Sequence, residues 1–247
     1  MMISSKFKIN ILSIILTFCC ISTTFSQITS GKIVFERKTN LMKKFTDERT
    51  KKWITEENKY NIDVFDLYFN DSISVFIPSE DQPVKGGMAS WATTKNSVVQ
   101  NINSGSRLSV LNIWGDNAYV QDSLIEREWK ITENKRKIGS YMCQKAIYKM
   151  NDSVTIYAWF SEEIIPSVGP ETFRGLPGAI LGLATEDGGV VYFAKSYEAL
   201  KPDFDFEKIT PKAGKKTYTH EELKAKLKAD FESKPWGKGL VDEMFTW

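Results

Sequence analysis

Apolar and polar residues alternate along much of this chain, and the alternation breaks at short clusters of Asn, Asp, Ser and Gly. A period of two puts successive side chains on opposite faces of an extended strand, so the pattern predicts a β-rich fold. Residues 32–38 form the first such segment. Phe65, Leu67 and Phe69 share one face of a second, and Asn70-Asp71-Ser72 turns it into 73–77. A hairpin is expected from 110–114 and 118–121 around Gly115-Asp116-Asn117, followed by a strand at 124–131 that carries Trp129. Residues 141–150 and 154–160 flank Asn151-Asp152-Ser153. Residues 179–185 and 190–197 flank Glu186-Asp187-Gly188-Gly189, where glycine accepts the positive φ of a hairpin turn. Strands joined by tight turns imply an antiparallel sheet.

The period changes near the end of the chain. Thr219 and Glu222 have capping-box spacing; Leu223, Leu227 and Phe231 then recur every four residues, and Pro235 ends the run. This predicts an amphipathic helix, with Lys224, Lys226 and Lys228 on its other face as a solvated surface or a basic docking surface. Residues 79–106 are rich in Gly, Ser, Asn and Thr and read as a long loop with a short irregular strand near Val98. Trp91 in that loop is a candidate contact residue, and anchoring the loop on the core is its plainer role. The expected fold is α+β, mostly antiparallel β: a curved open sheet or half-barrel with the C-terminal helix packed on it and aromatics on its concave side. A closed small barrel is the alternative.

The first residues change the charge and cysteine ledgers. Lys6 and Lys8 precede an apolar run from Ile11 to Ile21, and the small residues Thr24 and Ser26 stand three and one positions before Gln27. This is the layout of a cleavable secretion signal over 1–26, leaving one β-rich domain over 27–247. The run is about a dozen residues where a membrane span needs roughly 20, so no transmembrane segment is expected in the mature chain. The chain has 33 basic and 31 acidic side chains, and 1–26 holds two lysines and no acid, leaving 31 against 31. Nothing global then points to nucleic acid. Of three cysteines only Cys143 remains, so an internal disulfide is excluded and a buried structural thiol is expected.

The most distinctive stretch is 157–183. Aromatics alternate up to Ile165-Pro166, Gly169-Pro170 bends the chain, and Arg174-Gly175-Leu176-Pro177-Gly178 bends it again. Pro177 sets φ for the second position of a type II turn, Gly178 supplies the positive φ of the third, and Gly175 permits close approach of the backbone. The segment resembles the GLPGLI family of exported Gram-negative envelope proteins. Here the motif stands as Gly175-Leu176-Pro177-Gly178-Ala179-Ile180, with Ala179 where the family usually has Leu. Ala158-Trp159-Phe160, Ile165-Pro166, Gly169-Pro170 and the upstream 138–146 segment around Cys143 are also similar to it, and the likeness spans roughly Trp129 to Tyr197. The family carries no established activity. The resemblance implies an accessory envelope protein, in the periplasm or at the outer membrane, beside TonB-dependent transporters.

The motif residues have a structural role as a rigid turn and a functional one as a recognition surface formed by Arg174 with the Tyr157/Trp159 face. Catalytic candidates are scarce. The single histidine, His220, stands at the helix start, no Gly-x-Ser-x-Gly elbow or phosphate-cradling glycine loop occurs, and His/Cys ligands for zinc are too few. No catalytic or metal-ligating residue is assigned, and no cofactor is indicated. Glu162, Glu163, Glu171, Glu186 and Asp187 flank the motif. The expected function is therefore a non-catalytic binding or accessory protein with an envelope partner such as an outer-membrane transporter. A carboxylate- or metal-dependent hydrolase requires those acids to converge in a pocket with raised or coupled pKa values. A structural subunit of a surface assembly requires an exposed apolar patch.

Overall fold

The computed structural model describes residues 28–87, 92–113, 115–200, 204–205, 209–211, 214–231, 233–234, 241–242 and 244–245. The expected secretion signal, Trp91 and the helix stop at Pro235 lie outside them. The strands are β1 (Gly31–Asn40), β2 (Tyr60–Phe69), β3 (Ile73–Pro78), β4 (Ser97–Asn101), β5 (Ser106–Ile113), β6 (Asp116–Ser123), β7 (Lys130–Ile138), β8 (Tyr141–Lys149), β9 (Thr155–Ser161), β10 (Ala179–Thr185), β11 (Val190–Glu198) and β12 (Thr217–Tyr218). Short helices α1 (Leu41–Lys44) and α2 (Glu48–Lys51) follow β1, and α3 (His220–Phe231) follows β12. No helix among the described residues is long and apolar enough to cross a membrane.

All twelve strands form one sheet in the order β12-β6-β5-β4-β3-β2-β1-β11-β10-β9-β8-β7, antiparallel except for β12 on β6. The sheet is open, and its connectivity shows that it is rolled. Residues 124–129 alone join β6, near one edge, to β7 at the other. Seven Cα steps reach at most about 25 Å, whereas ten strand spacings across a flat sheet cover about 48 Å. The two edges must therefore curl toward each other, giving the half-barrel.

The inner face carries Ile33 and Phe35 of β1, Phe65, Leu67 and Phe69 of β2, and Ile156, Ala158 and Phe160 of β9. The connection between β9 and β10 runs over this face, with Ile164, Val168, Phe173 and Leu176 buried in the same cluster. Burying a large apolar side chain contributes about 1.5–3 kcal/mol, so the connection behaves as part of the core rather than as a surface loop. Helix α3 closes the β5–β6 end, where Leu223 and Leu227 meet Leu111 and Val120. The capping box forms as expected: Thr219 N–H donates to Glu222 Oε2 (2.9 Å) and Glu222 N–H to Thr219 Oγ1 (3.2 Å). Its lysines carry carboxylate partners, Lys224 and Lys228 on Asp242 and Lys226 on Asp230.

Two local expectations change. Residues 124–129 are not a strand; Arg127 and Trp129 donate to Thr172 and to the Arg174 carbonyl, tying this segment to the β9–β10 connection. The strand there is β7, whose residues are mostly exposed because it is a sheet edge, so it lacks the apolar alternation of an interior strand. Near Val98 the chain forms a regular strand, β4, paired on both sides.

Candidate functional site

Inner-face polarity changes along the central strands. Antiparallel register pairs Ile33 with Leu67, Phe35 with Phe65, Arg37 with Asp63 and Thr39 with Asn61. Arg37 also pairs with Tyr192 of β11 on its other side. The period-two alternation that buries Ile33 and Phe35 thus also buries a guanidinium and sets a carboxylate and a phenol beside it. Arg37 donates to Asp63 Oδ2 from Nη2 (2.8 Å) and Nε (3.3 Å), and from Nη1 to the Tyr192 hydroxyl (3.4 Å). It also lies over the Phe65 ring, 4.8 Å from the centroid.

A fourth member comes from the β9–β10 connection. Gly169 is closely packed, since a Cβ there would stand 2.8 Å from the Phe173 carbonyl. The chain turns at Pro170, whose carbonyl accepts Phe173 N–H. Within the turn Glu171 adopts φ +55°, the one non-glycine in the left-handed region among the described residues. Such strain costs about 1–3 kcal/mol and gathers at functional sites. The turn delivers the Glu171 carboxylate to the Tyr192 hydroxyl (2.6 Å) and to within 3.6 Å of Arg37 Nη1.

The long loop after β3 closes the cluster. The Gln82 amide brackets Val64, accepting its N–H and donating to its carbonyl, and so continues the ladder past the end of β3. Lys85 then reaches Asp63 Oδ1 at 2.5 Å and Lys95 approaches the same oxygen at 3.8 Å. Thr93 donates to Asp63 Oδ2 (2.7 Å) and accepts from Asn61 (2.6 Å), while the Thr94 carbonyl accepts from Arg37 (2.6 Å).

The electrostatics divide the two acids. Burial pushes the Asp63 pKa up, but the Arg37 charge and the donors from Lys85, Arg37 and Thr93 hold it below its ordinary value. Burial dominates at Glu171, which stays raised despite Arg37 and Tyr192, with the Asp63 charge adding to the rise. Arg37 is more firmly protonated than usual, because Tyr192, Asp63 and Glu171 outweigh its desolvation. Burial and the Arg37 charge bring Lys44, at the end of α1, down to about 8.

Glu171 also lies in the wall of a cleft with Asn96, Arg107, Thr172, His220 and Phe245. Arg107, on β5, pairs with Asp122 of β6 (3.3 Å), and Asp122 accepts the His220 backbone N–H that opens α3. Arg107 Nε and Asn96 Oδ1 are buried without a hydrogen-bond partner among the described residues. Such groups carry an uncompensated desolvation cost.

The residues singled out from sequence fall elsewhere. Tyr157 and Trp159 sit on the outer face, under Lys145 (3.7 Å) and Arg136 (4.3 Å) respectively. Arg174 lies in the connection over the inner face and binds Glu126 (2.6 Å), so the structure does not unite it with the two aromatics. In the motif Leu176 is buried and Gly178 packs on the Ser161 backbone. The Pro177 turn is tighter than the expected type II: Gly178 N–H bonds the Leu176 carbonyl (2.8 Å), a three-residue γ-turn. Gly178 has the expected positive φ, at +142°, and Gly175 lies against Trp129 with φ +97°.

Of the flanking acids, Glu162, Glu163, Glu186 and Asp187 are exposed, and Glu171 alone enters the interior. Cys143 is buried, and desolvation pushes its thiol up to about 11. Burial lowers the His220 pKa. Among the described residues no group of three or more His, Cys, Asp and Glu could hold a metal ion. Arg37, Asp63 and Tyr192 are not among the residues the sequence singles out, although Arg37 is in phase with Ile33 and Phe35, and Asp63 with Phe65 and Leu67. A charge in phase on an apolar face is the signal that marks them.

Residues 148–182, which include the Gly175–Gly178 turn, match a family described as a protein of unknown function, Porph_ging. No curated protein matches the chain. Two solved structures of PNGF-II share the fold over 80% of this chain: the P21 form at TM-score 0.56 and 15% identity, and the C2 form at 0.54 and 17%. The match covers 32% of the PNGF-II chain, so this chain is similar to about a third of that protein's length.

Proposed function

We propose that this chain is an exported cell-envelope protein of the GLPGLI type that binds a ligand or partner on the inner face of its rolled sheet, without catalysing a reaction, in the service of an outer-membrane transporter. The observation that supports the binding reading is the cleft beside Glu171, where Arg107 Nε and Asn96 Oδ1 are buried and unpaired. Both residues line that cleft, and a polar group that accepts from Arg107 and donates to Asn96 would relieve the two unpaired atoms. The test is native mass spectrometry and affinity capture from envelope extracts, with Arg107→Lys as control. That substitution keeps a charge for Asp122 and deletes Nε. A bound molecule or transporter retained by the wild type and lost by the variant is expected. Recovery of the protein alone, with no bound mass, overturns the reading.

A hydrolase is the second reading; the flanking acids do not converge as it requires, four of the five being exposed. Its support is Glu171 alone, a buried carboxyl with raised pKa, strained backbone and a tyrosine partner, the properties of a general acid. Turnover of a panel of model hydrolase substrates abolished by Glu171→Gln, with the fold intact by circular dichroism, would establish it. Activity unchanged in that variant rejects it.

A further inference from the structure

The Asp63 cluster is unbalanced in charge. Three cations converge on it, Arg37, Lys85 and Lys95, against two carboxylates, Asp63 and Glu171. Asp63 has no capacity left: Oδ2 accepts Arg37 Nη2, Arg37 Nε and Thr93 Oγ1, and Oδ1 faces Lys85 and Lys95. A carboxylate offers about four lone-pair sites. Each lysine ammonium has three donors, so Lys85 and Lys95 have more to give than this oxygen can take. The other acids of the same loop, Glu80 and Asp81, are exposed, and residues 88–91 carry no charge in the sequence. The surplus stands out because the chain after residue 26 has equal numbers of acids and bases. Lys85 and Lys95 keep 12% and 30% of their side-chain surface exposed, so an anion can reach them, and at a partly buried site it would offset the surplus charge.

We infer that Lys85 and Lys95, backed by Arg37, form the seat of a phosphate-class oxyanion, inorganic phosphate or a phosphate monoester. Both ammonium groups lie within 3.8 Å of one Asp63 oxygen, so they converge on a compact group rather than on two separated charges. A tetrahedral oxyanion presents several acceptors to such a pair, and lysine meets phosphate as a point charge. Its charge also varies between −1 and −2 near neutral pH, which matches a surplus of one with Glu171 ionised and two with it protonated. The inference deepens the inner-face binding reading and rests on it.

Isothermal titration of the full chain with inorganic phosphate, and separately with glycerol phosphate, at constant ionic strength tests it. Saturable binding is expected, weakened about tenfold or more by Lys95→Gln, the loss of one charge-assisted contact. Lys95 is the less buried of the two lysines, so its replacement leaves the Asp63–Lys85 pair to hold the fold. Tighter binding of glycerol phosphate assigns a monoester; tighter binding of phosphate assigns the free ion. Heat no different from sodium chloride, equal affinity for acetate, or unchanged affinity in Lys95→Gln each overturns it. Partner capture that persists when phosphate does not bind overturns this inference alone and leaves the binding reading standing.

Discussion

The Tyr192 hydroxyl donates a 2.6 Å hydrogen bond to Glu171 Oε1 while accepting one from Arg37 at 3.4 Å. The phenol therefore joins a guanidinium on β1 to a carboxyl on the β9–β10 connection. Tyr192→Phe keeps the ring packed on Phe65 and Phe76 but leaves Glu171 short of a donor in a buried setting. The expected loss is about 1–3 kcal/mol, read from the urea midpoint. A loss within error would show that the carboxyl finds another partner.

Glu171 and Asp63 carry opposite pH signatures. The Glu171 pKa is raised on folding, so its favourable contribution is present below the unfolded carboxyl value, about 4, and is lost as pH rises through the folded value. Glu171→Gln cannot lose that proton and should gain on the wild type as pH rises through that window. The Asp63 pKa is lowered, so its contribution is present above about 4 and is lost as pH falls through the folded value. Asp63→Asn strands Arg37 and Lys85 and should cost about 3–5 kcal/mol at neutral pH, with the deficit shrinking toward acid. Denaturant midpoints across pH measure both; parallel profiles for the two variants would refute the assignment.

Gly178 and Gly175 belong to the same motif but are required for different reasons. A Cβ on Gly178 would stand 2.1 Å from the Ser161 carbonyl oxygen, so backbone must move to admit it. At Gly175 the nearest atom would be 3.6 Å away, and only φ +97° resists substitution. Gly178→Ala should destabilise by more than about 3 kcal/mol and Gly175→Ala by about 1–2. Similar melting temperatures for the two variants would contradict this ordering.

The strands were legible where they were interior and one-sided. Phe65, Leu67 and Phe69 announce β2 because one face is core, whereas β7 reads Lys-Ile-Thr-Glu-Asn-Lys-Arg-Lys-Ile and stays silent because an edge strand meets water on both faces. The rolling of the sheet is not visible in any one strand; it follows from the distant positions of β6 and β7 in the sheet order while six residues join them. The Asp63 cluster lay half in view. The phase of Arg37 and Asp63 follows from the alternation, but Glu171 reaches them only because the Gly169-Pro170 turn folds the connection over the inner face, a contact set by long-range packing. Tyr157 and Trp159 lie on β9 as their alternation predicts, and their separation from Arg174 depends on which face that connection covers.

Cys143 provides a probe of this packing. It is fully buried on β8, and desolvation raises its thiol to about 11. At pH 8 about one molecule in a thousand would carry the thiolate, the form that attacks disulfide reagents. Burial imposes a further barrier, because the reagent must reach a sulfur covered by the core. Thiol labelling of the native protein should therefore be slow and should track global unfolding, accelerating with urea in step with the loss of tryptophan fluorescence. Cys143→Ala should keep the fold at a modest cost, while Cys143→Ser buries a hydroxyl and should lose about 1–3 kcal/mol. Labelling within minutes in the absence of denaturant would instead mean that the β7–β8 edge opens locally while the rest of the sheet stays folded.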